Sequence, residues 1–211
     1  MAVAAGAQHL LSDNEPSRGQ GAHDMTRRLA WLILPVLLAW LPAAPADAQN
    51  RFVDEVKVGV LGHDLPFLGG QKEGGADINA EILFTSPAFL RRVWAPRPHI
   101  GGSVNTNGDT NHAYIGLTWE FTLAREIARR NDAIFFGFSL GGAVHDGLLD
   151  TRRTDRKSLG SRALFRESVE VGYRLNEIHS LSAYVDHISN ARLAKRNEGI
   201  TNAGMRLGLK F

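Results

Sequence analysis

The chain has 211 residues, 22 of them glycine, a formal net charge of +2 and no cysteine. Its length fits one domain of ordinary size. Without cysteine, disulfides, cysteine nucleophiles and thiolate metal sites are excluded.

Residues 1–24 are polar and resemble neither a domain nor a targeting signal. They read as an N-terminal extension or as a start-site error ahead of Met25, with an unusually long n-region as the alternative. Met25-Thr26-Arg27-Arg28 then opens a basic start, an apolar run from Leu29 to Leu41 and a small-x-small triplet, Ala46-Asp47-Ala48. This is the pattern of a secretory signal peptide over residues 25–48, with cleavage expected after Ala48. The apolar run is short for a membrane span, and Pro35 interrupts it. A retained anchor at residues 29–41 is the weaker reading.

Residues 49–211 alternate with a period of two. Val56, Val58 and Val60 share a phase, as do Ile78, Ala80, Ile82 and Phe84. A glycine-rich stretch covers 98–105, followed by Ala113, Ile115, Leu117, Trp119 and Phe121. Ile134, Phe136, Phe138 and Leu140 come next, then Val169, Val171, Tyr173 and Leu175. Leu181, Ala183, Val185, His187 and Ser189 form the seventh set, and Ala203, Met205, Leu207, Leu209 and Phe211 the last. Each segment is near the ~9–11 residues that carry a tilted strand across a bilayer. The expected fold is therefore all-β, an eight-stranded antiparallel transmembrane β-barrel, with a soluble periplasmic barrel or sandwich as the alternative.

The opposite phase holds Glu81, Tyr114, Glu120, Glu170, Arg174 and Arg206, suited to line a small polar interior. With both ends in the periplasm, loops near 62–75, 105–111, 142–160 and 190–201 face outward. Residues 86–97 and 125–132 face the periplasm, the second as a helical turn. His187 and Ser189 then lie toward the outer leaflet, on the apolar face of their strand.

A histidine accepts a proton near neutral pH, and a serine beside it can act as an acyl-transfer nucleophile. At i and i+2 the two share a strand face. Unpaired polar groups on a lipid-facing surface are costly, which favours a functional role over chance.

His187-Ile188-Ser189-Asn190-Ala191, with Asn197-Glu198-Gly199 and the final strand, resembles the C-terminal signature of the lipid A 3-O-deacylase family, acyloxyacyl hydrolase-like outer-membrane barrels. The resemblance is sharp from about Ala183 onward. It implies His187 as general base, Ser189 as nucleophile, and Asn190 with nearby backbone amides as oxyanion donors. It also implies lipid A or lipopolysaccharide as partner, no metal or other cofactor, and an outer-membrane location.

One position departs from the family. Members carry a catalytic glutamate directly after the equivalent of Gly199-Ile200, where this chain has Thr201. Threonine can hydrogen-bond an imidazole but brings no charge. Glu167 is the candidate replacement, provided that equal phases on the sixth and seventh strands set it beside His187. A one-residue slip would turn it inward, as an ion-pair partner for Arg162 or Arg166.

Arg192, Lys195 and Arg196 follow the candidate site and are candidate substrate-binding residues. Arg152, Arg153, Arg156, Lys157 and Arg162 could meet lipid A phosphates or form a solvated loop. The histidines lack a metal-binding spacing, and nucleic-acid binding has little support. The reading is a lipid A 3-O-deacylase. Its alternative is a non-catalytic barrel that binds lipopolysaccharide or supports the envelope, alone, as a homo-oligomer or within a membrane assembly.

Overall fold

The computed structural model describes residues 51–211; the expected N-terminal extension and signal peptide lie outside the described residues. Eight antiparallel strands close into one barrel in sequence order. They are β1 (Val53–Gly62), β2 (Ala76–Phe84), β3 (Arg97–Asn105), β4 (His112–Arg125), β5 (Ala133–His145), β6 (Ala163–Arg174), β7 (His179–Ser189) and β8 (Ile200–Lys210). Closure comes from β8 returning to β1, in register from Glu55↔Lys210 to Gly62↔Ala203.

The alternation decides which way each side chain points, and the barrel is inside-out relative to a soluble one. Ile78, Ile100, Ile115, Val169 and Val171 lie exposed on the outer face. Lys57, Glu81, Glu170, Arg166 and Arg206 are buried within. Water would disfavour that apolar exterior, whereas a bilayer accepts it and closure removes every open strand edge.

The buried charges are paired. Arg206 binds Glu170 at 2.6 Å and Glu81 at 3.2 Å, and Lys57 reaches Glu170 at 2.8 Å. Arg166 meets Asp186 at 3.3 Å and stacks over the Tyr114 ring, 3.5 Å from its centroid. Removing one member of such a set strands its partner, at a cost of about 3–5 kcal/mol. At the outer end a small apolar cluster of Tyr114, Ala143, Leu159, Leu164, Ile188 and Ile200 sits among buried polar groups.

Two connections differ from expectation. Strand β5 runs on to His145, so the third outer loop starts later than residue 142. The turn after β4 is not helical: the Asp132 carboxylate accepts the backbone N–H groups of Ile127, Ala128 and Arg129 at 2.6, 2.9 and 2.8 Å. Those donors are thereby satisfied without a helix. The β2–β3 connection carries a short 3-10 helix, Ala88–Val93.

Candidate active site

Strands β6 and β7 keep one phase through their tight connection, and this places Glu167 opposite His187 and Phe165 opposite Ser189. On the other flank His187 pairs with Thr201 of β8. Strand β5 sets Leu140 beside Glu167 and Gly142 beside Phe165. Two rows therefore cross the outer face near the end that carries the β7–β8 loop. One runs Leu140, Glu167, His187, Thr201; the next runs Gly142, Phe165, Ser189.

His187 is half-buried, and its Nδ1 lies 2.8 Å from Thr201 Oγ1. Thr201 is itself buried. With Thr201 accepting from Nδ1–H, Nε2 keeps its lone pair and can take a proton. Glu167 is exposed and forms neither a hydrogen bond nor an ion pair among the described residues, so its influence on the imidazole is that of a nearby charge. Asp186 points inward to Arg166. Ser189 is half-buried at the end of β7, and its hydroxyl has no hydrogen-bond partner among the described residues. Such contacts often tighten only when substrate binds.

Gly199 closes the other edge of the imidazole. A Cβ there would come within 2.6 Å of His187 Cε1 and 2.8 Å of Nε2. The outer loops hold this glycine in place. Lys157 Nζ donates to the Gly199 carbonyl at 3.1 Å and pairs with Asp64 at 3.0 Å. Glu198 accepts from Lys72 Nζ at 2.6 Å and from the Ser158 N–H at 2.7 Å. Burial alone would raise the Glu198 carboxyl, but these hydrogen bonds and the lysine charges hold it below the usual carboxylate range.

A second clasp ties the loops together. His63 is buried between Asp77, 2.9 Å from Nδ1, and Glu73, 3.1 Å from Nε2. Glu73 also accepts from the backbone N–H groups of Lys157 and Thr110 at 2.9 and 3.1 Å. Burial works to neutralise both groups, yet the hydrogen bonds between them and their neighbours win. The His63 pKa rises to about 9 and that of Glu73 falls to about 2.

Asn190 sits differently from the sequence expectation. Its buried side-chain amide donates to the Leu159 and Arg196 carbonyls, and its backbone N–H to Asn197 Oδ1 at 2.9 Å. Both of its donors are thus committed to loop structure. The same bond orients Asn197, leaving its Nδ2 without an acceptor among the described residues.

The basic residues divide. Lys157 is buried in the clasp and does not face the headgroup layer, a correction to its sequence reading. Arg156 pairs with Glu73 and Asp109, Arg153 with Asp155, and Arg196 with Asp150. Arg162 donates to the His145 and Gly147 carbonyls. Arg152, Arg192 and Lys195 are exposed and pair with no carboxylate among the described residues.

A groove of about 480 Å³ is lined by Gly142, Ala163, Phe165, Asn190, Leu193 and Ala194, and Phe165 is the register partner of Ser189. Gly142 opens it, because its position on the outer face carries no side chain. The sequence reading missed this groove and the Gly199 buttress, since both depend on which strands become neighbours.

Residues 78–210 match the family described as Lipid A 3-O-deacylase (PagL). Among solved structures the chain is similar to the outer membrane enzyme PagL. The TM-score is 0.55 over 74% of this chain and 99% of that one, at 14% identity, a likeness of fold. It is also similar to Neisserial surface protein A (NspA), with a TM-score of 0.47 at 12% identity, covering 74% of this chain and 96% of that one. No curated protein sequence matches.

Proposed function

Because the chain belongs to the lipid A 3-O-deacylase (PagL) family, we propose that it is an outer-membrane serine hydrolase that removes an ester-linked acyl chain from lipid A. The observation that carries this reading is the outward-facing imidazole beside Ser189, with Nδ1 held by Thr201. Export through a cleaved signal peptide at residues 25–48 belongs to the same proposal.

His187 Nε2 takes the Ser189 proton as Oγ attacks the ester carbonyl. The tetrahedral oxyanion is met by Asn197 Nδ2, which the Asn190 N–H orients. Collapse breaks the ester C–O bond, and His187 returns the proton to the departing sugar oxygen. Water, deprotonated by His187, then releases the fatty acid and regenerates Ser189. Thr201 fixes the tautomer, and Glu167 on the opposite flank supplies the negative charge that favours the transient imidazolium. The acyl chain lies in the groove at Gly142 and Phe165, reached sideways from the outer leaflet, while Arg192 and Lys195 meet phosphate.

The test compares lipid A mass spectra from outer membranes bearing wild type or Ser189→Ala at equal insertion. Loss of one ester-linked acyl mass with wild type alone supports the proposal. Identical spectra favour the second reading, a non-catalytic lipopolysaccharide-binding barrel, which the uncharged Thr201 at the family's glutamate position recommends.

A further inference from the structure

The cations of this barrel are paired wherever a carboxylate is within reach. Arg97 meets Asp54, Glu55 and Glu120, Arg174 meets Glu120, and the outer loops clasp Lys72, Arg153, Arg156 and Lys157. Against that habit, Arg91, Arg92, Arg129 and Arg130 stand exposed at the periplasmic end with no carboxylate partner among the described residues. Two of the nearby acids are already engaged. Asp132 is filled by three backbone N–H groups, and Glu177 accepts from Asn131.

Large apolar side chains share this level. Phe89 is 76% and Trp94 80% exposed, with Leu123 and Ile127 also outside. The 3-10 helix that carries Phe89, Arg91 and Arg92 is fastened to β4 by the bond from Trp119 Nε1 to the Val93 carbonyl, 2.8 Å. Trp119 in turn stacks on Phe138 of β5, at 5.5 Å between centroids. The patch thus continues directly from the lipid-facing surface, where aromatic residues mark the bilayer interface and arginines the phosphate level.

We infer that this rim is a binding surface for anionic phospholipid headgroups of the periplasmic leaflet, with Phe89 and Trp94 seated in the acyl boundary and Arg91, Arg92, Arg129 and Arg130 on the phosphates. Continuity with the lipid-facing wall and the surplus of positive charge both select a lipid over a protein partner. Each arginine at an anionic surface contributes roughly a fivefold preference, and salt screens it.

Trp94 and Trp119 lie in the patch and report on it. Protein isolated from the outer membrane, freed of the expected signal segment with its Trp31 and Trp40, is placed in phosphatidylcholine vesicles. These contain a small fraction of brominated phosphatidylglycerol or brominated phosphatidylcholine. Quenching by the brominated phosphatidylglycerol should be stronger by at least about fivefold at equal fraction, the preference of a single arginine, and should fall toward parity in ~0.5 M salt. The combined Arg91→Gln, Arg92→Gln, Arg129→Gln, Arg130→Gln variant, with heat-modifiable migration intact, should show parity at low salt. Equal quenching by both lipids in wild type overturns the inference. So does a preference that survives high salt or the quadruple substitution. The salt titration needs wild type alone, so the inference stays testable if the variant does not fold.

Discussion

His187 donates its hydrogen bond to one neighbouring strand and faces an outward carboxylate on the other: Thr201 Oγ1 is 2.8 Å from Nδ1, and Glu167 is the register partner on the opposite side. On the proposed mechanism, orientation and charge, which a single glutamate supplies in the family pattern, are divided between these two residues. Thr201→Glu should therefore raise turnover by about 10- to 100-fold, and Glu167→Gln should lower it by a similar factor. In Thr201→Glu the further Glu167→Gln change should matter little. Single-turnover deacylation of lipid A measures all three, and a large additive loss in the double variant would contradict the division.

The groove makes a second prediction. At Gly142 a Cβ would find only the Leu164 carbonyl, at 3.7 Å, so a side chain fits without backbone strain. Gly142→Leu should fold and insert normally while occupying the proposed acyl channel. The loss should appear as a higher KM, by about tenfold for displacing two buried methylenes, and shorter acyl chains should be less affected. Assays across a chain-length series decide it.

Gly199 behaves oppositely. An added Cβ meets the imidazole at 2.6 Å and the Ile188 carbonyl at 2.9 Å. Backbone cannot yield as a flexible side chain would, so the imidazole must move. Gly199→Ala should reduce kcat by roughly 100-fold, the usual result of displacing a reacting group by about an ångström, with acyl-chain preference unchanged.

The buried His63–Glu73 clasp predicts a pH window for loop stability. The His63 pKa is raised to about 9, so its contribution is complete below its ordinary value of 6.5 and is lost as pH climbs through 9. Glu73 is lowered to about 2, so its contribution is complete above 4.5 and disappears as pH falls through 2. Both are present between about pH 4.5 and 6.5, and the shared interaction is on the order of 3 kcal/mol. Thermal unfolding of wild type and His63→Gln across pH should diverge most in that interval and converge above pH 9. A constant difference between the two curves would refute the clasp.

Much of this arrangement was readable in the sequence because strand periodicity is local. The outward phase of Leu181, Ala183, Val185, His187 and Ser189 follows from spacing alone, as does the inward phase of Glu81, Glu170 and Arg206. Glu167 required one further fact, the phase relation across the 175–178 connection, and the structure supplies it. Lys157 was not readable. In a loop rich in arginine it looks solvated, and only the long-range approach of Asp64, Gly70 and Gly199 takes it out of water. The surroundings of Asn190 were hidden for a related reason: its neighbours in space, the Leu159 and Arg196 carbonyls, come from loops whose paths no periodicity encodes.

The division of the site among β6, β7 and β8 has a consequence for biogenesis. Thr201 lies on the strand whose far edge zips against β1 to complete the cylinder. Before that last seam forms, β8 is held on one side only, through its pairing with β7, and the contact between Thr201 and His187 rests on that single strand pair. On the proposed mechanism, a chain whose barrel is not yet closed would carry its nucleophile and base with that contact supported from one side alone. On the same proposal, full turnover would accompany the completed circle of strands and serve as a reporter of correct insertion.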